Sequence, residues 1–110
     1  MYTNRFRLGI LVLLFASSHA FAEDFDAALK RIKAGLPADV GKVIDRMTGC
    51  NHWAGEEAYD EDRKQQIHKA VDELRCKDLE SDKTKLLKKY KAKESAIKKA
   101  FKEAETMSEG

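Results

Sequence analysis

Apolar side chains recur along this chain at three- and four-residue intervals, the spacing that lines one face of an α-helix. Phe25, Leu29 and Ile32 mark a first helix from about Asp24 to Ala34, with acids in its opening turn where the helix dipole favours them. Gly35-Leu36-Pro37 ends that helix and starts the next, glycine as a stop and proline at a first helical position. The second helix carries Val40, Val43, Ile44 and Met47 on one face and is expected to end at Thr48, before Gly49. A loop, Cys50 to Tyr59, leads to a third helix that Asp60 can cap and that would bury Ile67, Ala70, Val71 and Leu74. A fourth carries Leu86, Tyr90, Ile97, Phe101 and Ala104.

Strand signals are missing: there is no alternating β-branched run and no Asn-Gly or Asp-Gly turn. From Glu56 to Glu109 there is neither proline nor glycine, so a single rod over the third and fourth helices is conceivable. At 100° per residue, however, the third stripe points about 140° away from the stripe of Leu79, Leu86, Tyr90, Ile97 and Phe101. A break near Cys76 to Asp82 removes that conflict, and an unbroken rod stays as the alternative. The expected fold is an all-α bundle of about four helices with a long basic C-terminal helix.

The chain opens differently. Arg5 and Arg7 precede the apolar run Leu8 to Ala16 and the small, polar stretch Ser17 to Ala22, with Ala20-x-Ala22 suited to signal peptidase. Nine apolar residues rise only about 14 Å against a bilayer core of roughly 30 Å, so the run reads as a cleavable signal and not as an anchor. No cysteine follows it for lipid attachment and the arginines are not adjacent, which points to the Sec route. The expectation is residues 1–22 as signal peptide and residues 23–110 as one helical domain, periplasmic or secreted, with 83–110 its lysine-rich helix and tail.

A mature chain of this size has a thin core and often needs a staple. Cys50 and Cys76 are its two cysteines, and in an oxidising compartment they are expected to pair with each other. Free thiols or a metal-binding pair are the alternatives. With the bridge in place, the third helix, about 24 Å long, must return to Cys50. The loop would then run nearly straight beside it, pressing Trp53 and Tyr59 onto the helix.

Charge is uneven along the chain. Glu23 to Asp82 holds 15 acids against 10 bases, whereas Lys83 to Gly110 holds 9 lysines against 4 glutamates. Lys85, Lys88, Lys89, Lys91, Lys98, Lys99 and Lys102 surround a narrow apolar stripe and could meet an anionic lipid or polymer surface, or simply keep the helix solvated. A helix of about 35 Å outruns its neighbours, so Ile97 and Phe101 would fray or be covered by a partner, a homodimer among the options. Nucleic acid is a poor fit, because the tract lacks the arginines and exposed aromatics that read phosphate and bases.

The densest chemistry lies in the loop: Cys50, Asn51, His52, Trp53, Glu56 and Glu57. A zinc site would need Cys-x-His, a poor spacing, and a free Cys50; a Cys–His nucleophile fails on the same bridge. The acids Glu56 to Asp62 lack the Asp-x-Asp-x-Asp-Gly pattern of a calcium loop. No phosphate loop or hydrolase motif is present, so neither an enzyme nor a cofactor is expected. The loop residues either fix the loop itself or form a contact surface of His52, Trp53, Glu56, Glu57 and Tyr59 for another envelope protein. Gly49-Cys50-Asn51-His52-Trp53-Ala54-Gly55-Glu56, with Tyr59-Asp60, Arg63 and Cys76, resembles a group of small secreted proteobacterial proteins. That resemblance implies a signal peptide and a small helical domain, with no activity attached.

Overall fold

A computed structural model describes residues 23–108. The signal-peptide assignment falls on residues 1–22 and lies outside them. Five α-helices make up the described chain: α1 (Phe25–Lys33), α2 (Ala38–Ala54), α3 (Glu61–Glu73), α4 (Leu79–Lys89) and α5 (Glu94–Ser108). Short 3-10 turns, Cys76–Asp78 and Lys91–Lys93, precede α4 and α5.

The α1 helix starts because the Asp24 carboxylate accepts from the Ala27 amide at 2.7 Å, a cap that satisfies one of the free amides of the first turn. Gly35, at φ 74°, provides the left-handed turn that sends the chain back along α2. The Asp60 carboxylate caps α3 in the same way, accepting from Arg63 at 2.7 Å. The third helix closes at Leu74, and just past it Arg75, a non-glycine residue at φ 52°, reverses the chain into the Cys76–Asp78 turn.

Four of the five helices make the core. Its buried members are Ile32 of α1, Val40, Val43, Ile44 and Met47 of α2, Leu86 of α4, and Ile97, Ala100, Phe101 and Ala104 of α5. The helices α2 and α5 form the central pair, with α1 and α4 packed on both of them. Short turns join α1 to α2 and α4 to α5, while α2 reaches α4 through the longer segment that carries α3; the four run up and down alternately. Full removal of Ile44, Ile97 and Val40 from water is worth roughly 1.5–3 kcal/mol for each side chain.

The third helix stands apart. None of its residues is buried. Ile67, Ala70, Val71 and Leu74, expected in the core, are only half-buried. The segment from Asn51 to Arg75 is therefore an excursion out of the bundle, and the Cys50–Cys76 disulfide closes its base with a Cα–Cα distance of 5.8 Å.

Three expectations need correction. The second helix does not stop at Thr48 but continues to Ala54, so Gly49, Cys50, His52 and Trp53 are helical. Gly49 is retained there because Leu74 lies against it: a Cβ at Gly49 would sit 3.0 Å from Leu74 Cδ1. The long basic C-terminal helix is two helices, broken at Tyr90, which makes five helices where about four were expected. The break folds α5 back onto α1 and α2, leaving Ile97 0% and Phe101 5% exposed. The chain itself thus covers the stripe that pointed to a second copy. The expected separation of the third and fourth helices holds, with the reversal at Arg75 and the turn that follows.

Candidate functional site

Two regions collect the functional candidates, and they lie at opposite ends of α2.

At its C-terminal end, α2 turns into α3 through residues 55–60. Trp53, in the last turn of α2, is half-buried, with the Arg63 guanidinium carbon 5.3 Å from its ring centre. Arg63 comes from the first turn of α3 and donates from Nη2 to Glu56 Oε2 at 2.7 Å and from Nη1 to Gln66 Oε1 at 3.0 Å. Its Nε is buried with no hydrogen-bond partner. The His52 ring meets Trp53 edge-on at 5.4 Å, and its Nε2 lies 3.5 Å from Glu56 Oε1. The Trp–Arg contact combines cation–π attraction with a largely covered ion pair, so it locks the angle at which α3 leaves α2.

Of the five contact residues expected from sequence, His52, Trp53 and Glu56 are brought together here. Glu57 and Tyr59 are exposed and stand outside the cluster, Tyr59 at 77%. Tyr59 is thus not pressed onto the third helix as expected, because the loop is only six residues long and leaves α2 beyond Trp53, not at Cys50. Glu57, Glu61 and Asp62 are exposed around it without ion-pair partners among the described residues, which makes this corner acidic with a free aromatic at its tip.

The base of the excursion is held by a residue that sequence reasoning missed. Arg46 donates to the backbone carbonyls of Leu74 at 2.8 Å and Arg75 at 2.9 Å, and to Asp82 at 2.8 Å. The Leu74 carbonyl caps the end of α3, beyond the reach of helical amides, and the Arg75 carbonyl also accepts from the Asp78 amide of the turn that follows. Arg46 holds the Asp82 carboxyl below the usual carboxylate range, with Arg75 adding to the effect. An arginine flanking an apolar helical face gives no local hint of such a clamp.

At the N-terminal end of α2, Asp39 receives Lys89 Nζ at 2.7 Å and the Tyr90 hydroxyl at 2.9 Å. Lys89 first, and Tyr90 after it, hold the Asp39 carboxyl below its ordinary value, and Asp39 in turn raises Lys89. This pins the α4–α5 break to the start of α2. The lysines expected to share one helix are therefore divided. Lys85, Lys88, Lys89 and Lys91 cluster toward the break, all exposed. Lys98, Lys99 and Lys102 lie on α5, where Glu94 pairs with Lys98 and where Glu103 engages Arg31.

Between α1 and α5 runs an open groove of about 650 Å³ whose lining includes Ala28, Ile32 and Met107, with Lys99, Lys102 and Arg31 along it. Among the described residues no three His, Cys, Asp or Glu side chains converge as a metal site, and no helix is long and apolar enough to cross a membrane. Comparison with known proteins adds no relative: no family model matches the chain, no curated protein matches its sequence and no solved structure matches its fold.

Proposed function

We propose that this is a small exported binding protein of the bacterial envelope, of the inhibitor or immunity type, which engages another protein through the corner where α2 meets α3. One observation carries the reading. The third helix buries no residue, yet it is fixed by a disulfide and by Arg46 at its end, and by the Trp53–Arg63–Glu56 cluster at its start. A helix that adds nothing to the core but is held rigidly is organised for display, since pre-ordering a surface lowers the entropy lost on binding.

The exposed tyrosine suits the centre of a contact and the surrounding acids suit a basic partner surface. A disulfide fits an oxidising compartment, in line with export through Sec to the periplasm or beyond. The resemblance of the Gly49 to Glu56 segment to small secreted proteobacterial proteins agrees with that placement. No reaction is assigned: Cys50 is bridged, and the one imidazole of the cluster is exposed beside an acid already held by Arg63.

The test is capture from envelope extract by the immobilised, oxidised mature protein, with mass spectrometry of what is retained. Tyr59→Ala and the pair Glu57→Lys, Glu61→Lys alter exposed side chains and should leave the thermal melt unchanged. Loss of a buried aromatic anchor weakens an interface by roughly thirty-fold or more, so the retained protein should disappear from both variants. A partner held equally well by both would place the contact elsewhere.

A further inference from the structure

We propose that the end of the bundle formed by the Tyr90 break is a docking surface for an anionic phospholipid bilayer. Lys88, Lys89, Lys91 and Lys93 are all exposed within six residues, as α4 stops and the Lys91–Lys93 turn begins. The Asp39 contacts with Lys89 and Tyr90 bring the start of α2 to the same end, and with it exposed Lys42. Asp39 and Glu94 are the acids here, each already paired with one lysine. Lys42, Lys88, Lys91 and Lys93 have no ion-pair partner among the described residues. The N-terminus of α2, a helix of 17 residues, adds the positive end of its dipole.

The opposite charge is too far away to cancel this one. Asp39 and Trp53 are separated by fourteen residues of one helix, a rise of about 21 Å. That exceeds two Debye lengths of about 8 Å at physiological ionic strength. The acidic corner lies beyond Trp53, so the two ends act as separate charged surfaces.

Charge chemistry selects the occupant. No arginine occurs after Arg75, so the end offers mobile point charges and no planar fork for one bound phosphate. Its exposed side chains include no large apolar group to insert among acyl chains. A blunt end of dispersed ammonium groups matches a flat array of lipid phosphates, held by electrostatics alone. Docked this way, the chain would hold the α2–α3 corner away from the bilayer and open to a partner. The site is distinct from that corner, and either can fail without the other.

The experiment is co-sedimentation of the oxidised protein with phosphatidylcholine vesicles with and without about 30% phosphatidylglycerol, at about 50 and 500 mM NaCl. Binding is expected to the anionic vesicles alone and to vanish at high salt. At about five-fold per lysine, the variant Lys88→Gln, Lys91→Gln, Lys93→Gln should bind roughly 100-fold more weakly. The variant Lys98→Gln, Lys99→Gln, Lys102→Gln, equal in charge but altered on α5, should lose less than about ten-fold. Tyr59→Ala should bind as the parent does. No binding, equal binding to neutral vesicles, or equal loss in the two lysine variants would overturn the assignment. So would a protein that ignores vesicles but binds soluble polyphosphate, or one whose lysine end associates with a second copy in sedimentation velocity.

Discussion

Removing the disulfide should destabilise the whole bundle, not only the excursion it closes. Cys50 lies in α2, at the edge of the core, and Cys76 opens the turn into α4, 26 positions further on. Crosslinking a loop of that length lowers the entropy of the unfolded chain by about 12 cal/mol/K, or about 3.5 kcal/mol at 25 °C. The folded geometry needs little help to stay together locally, because the packing of α2 on α4 and the Arg46 clamp hold the same two segments. The bridge therefore acts mainly on the unfolded state. Domains near this size have about 5–10 kcal/mol in all, so the loss is a large fraction. Cys50→Ala, Cys76→Ala should be compared with the oxidised parent by urea denaturation followed at 222 nm. With a slope near 1.2 kcal/mol/M, the midpoint should fall by about 3 M at an unchanged slope. A shift below about 0.5 M, or loss of signal from α3 alone with the main midpoint unmoved, would refute the reasoning.

Further outcomes follow from other contacts. Arg46→Met removes the donors to the Leu74 and Arg75 carbonyls and to Asp82 and should cost about 2 kcal/mol in urea denaturation, with Arg46→Lys recovering only part. Gly49→Val drives a branched side chain into Leu74, so hydrogen exchange should quicken across residues 61–73 while the amides of α5 keep their protection. Stability should also fall in acid. The Asp39 and Asp82 carboxyls are held below their ordinary values by Lys89 and Arg46 respectively. Their contribution is present above the unfolded carboxylate value, about 3.9, and is lost as pH falls through their lower folded values. Melting temperatures from pH 6 to 2 should show this decline, flattened in Asp39→Asn, Asp82→Asn; an unchanged acid slope in that variant would remove these two groups as its cause.

Much of the bundle was legible because burial writes itself as periodicity. Ile32, Val40, Val43, Ile44 and Met47 sit where the helical spacing puts them, and so do Leu86, Ile97, Phe101 and Ala104. The bridge followed from two cysteines and the expectation of an oxidising compartment. What escaped was set by contacts distant in sequence. Glycine normally weakens a helix by about 1 kcal/mol and reads as a stop, yet Gly49 lies inside α2 because Leu74 needs the space. The chain from Leu79 to Ser108 is too long for α2, and sequence offered fraying or a partner as ways out. Folding back at Tyr90 is a third, with Asp39 fixing the turn through partners 50 and 51 positions away. The third helix carries a plausible apolar stripe, but a half-buried stripe and a buried one have the same spacing. In the candidate corner, Trp53 and Glu56 were visible as residue types; their common partner Arg63 was seen only as part of a resemblance, because its role depends on the angle between two helices.

The claim that α3 serves recognition and not folding has one direct measurement. Residues 51–75 can be replaced by a four-residue glycine-serine linker with both cysteines changed to alanine, since the two Cα atoms to be joined lie 5.8 Å apart. The shortened chain, as bait beside the parent, should melt cooperatively with the helices of the bundle intact and retain none of the protein that the parent captures. A chain that cannot fold without the excursion, or that captures the same protein after losing it, would contradict the division between bundle and displayed helix.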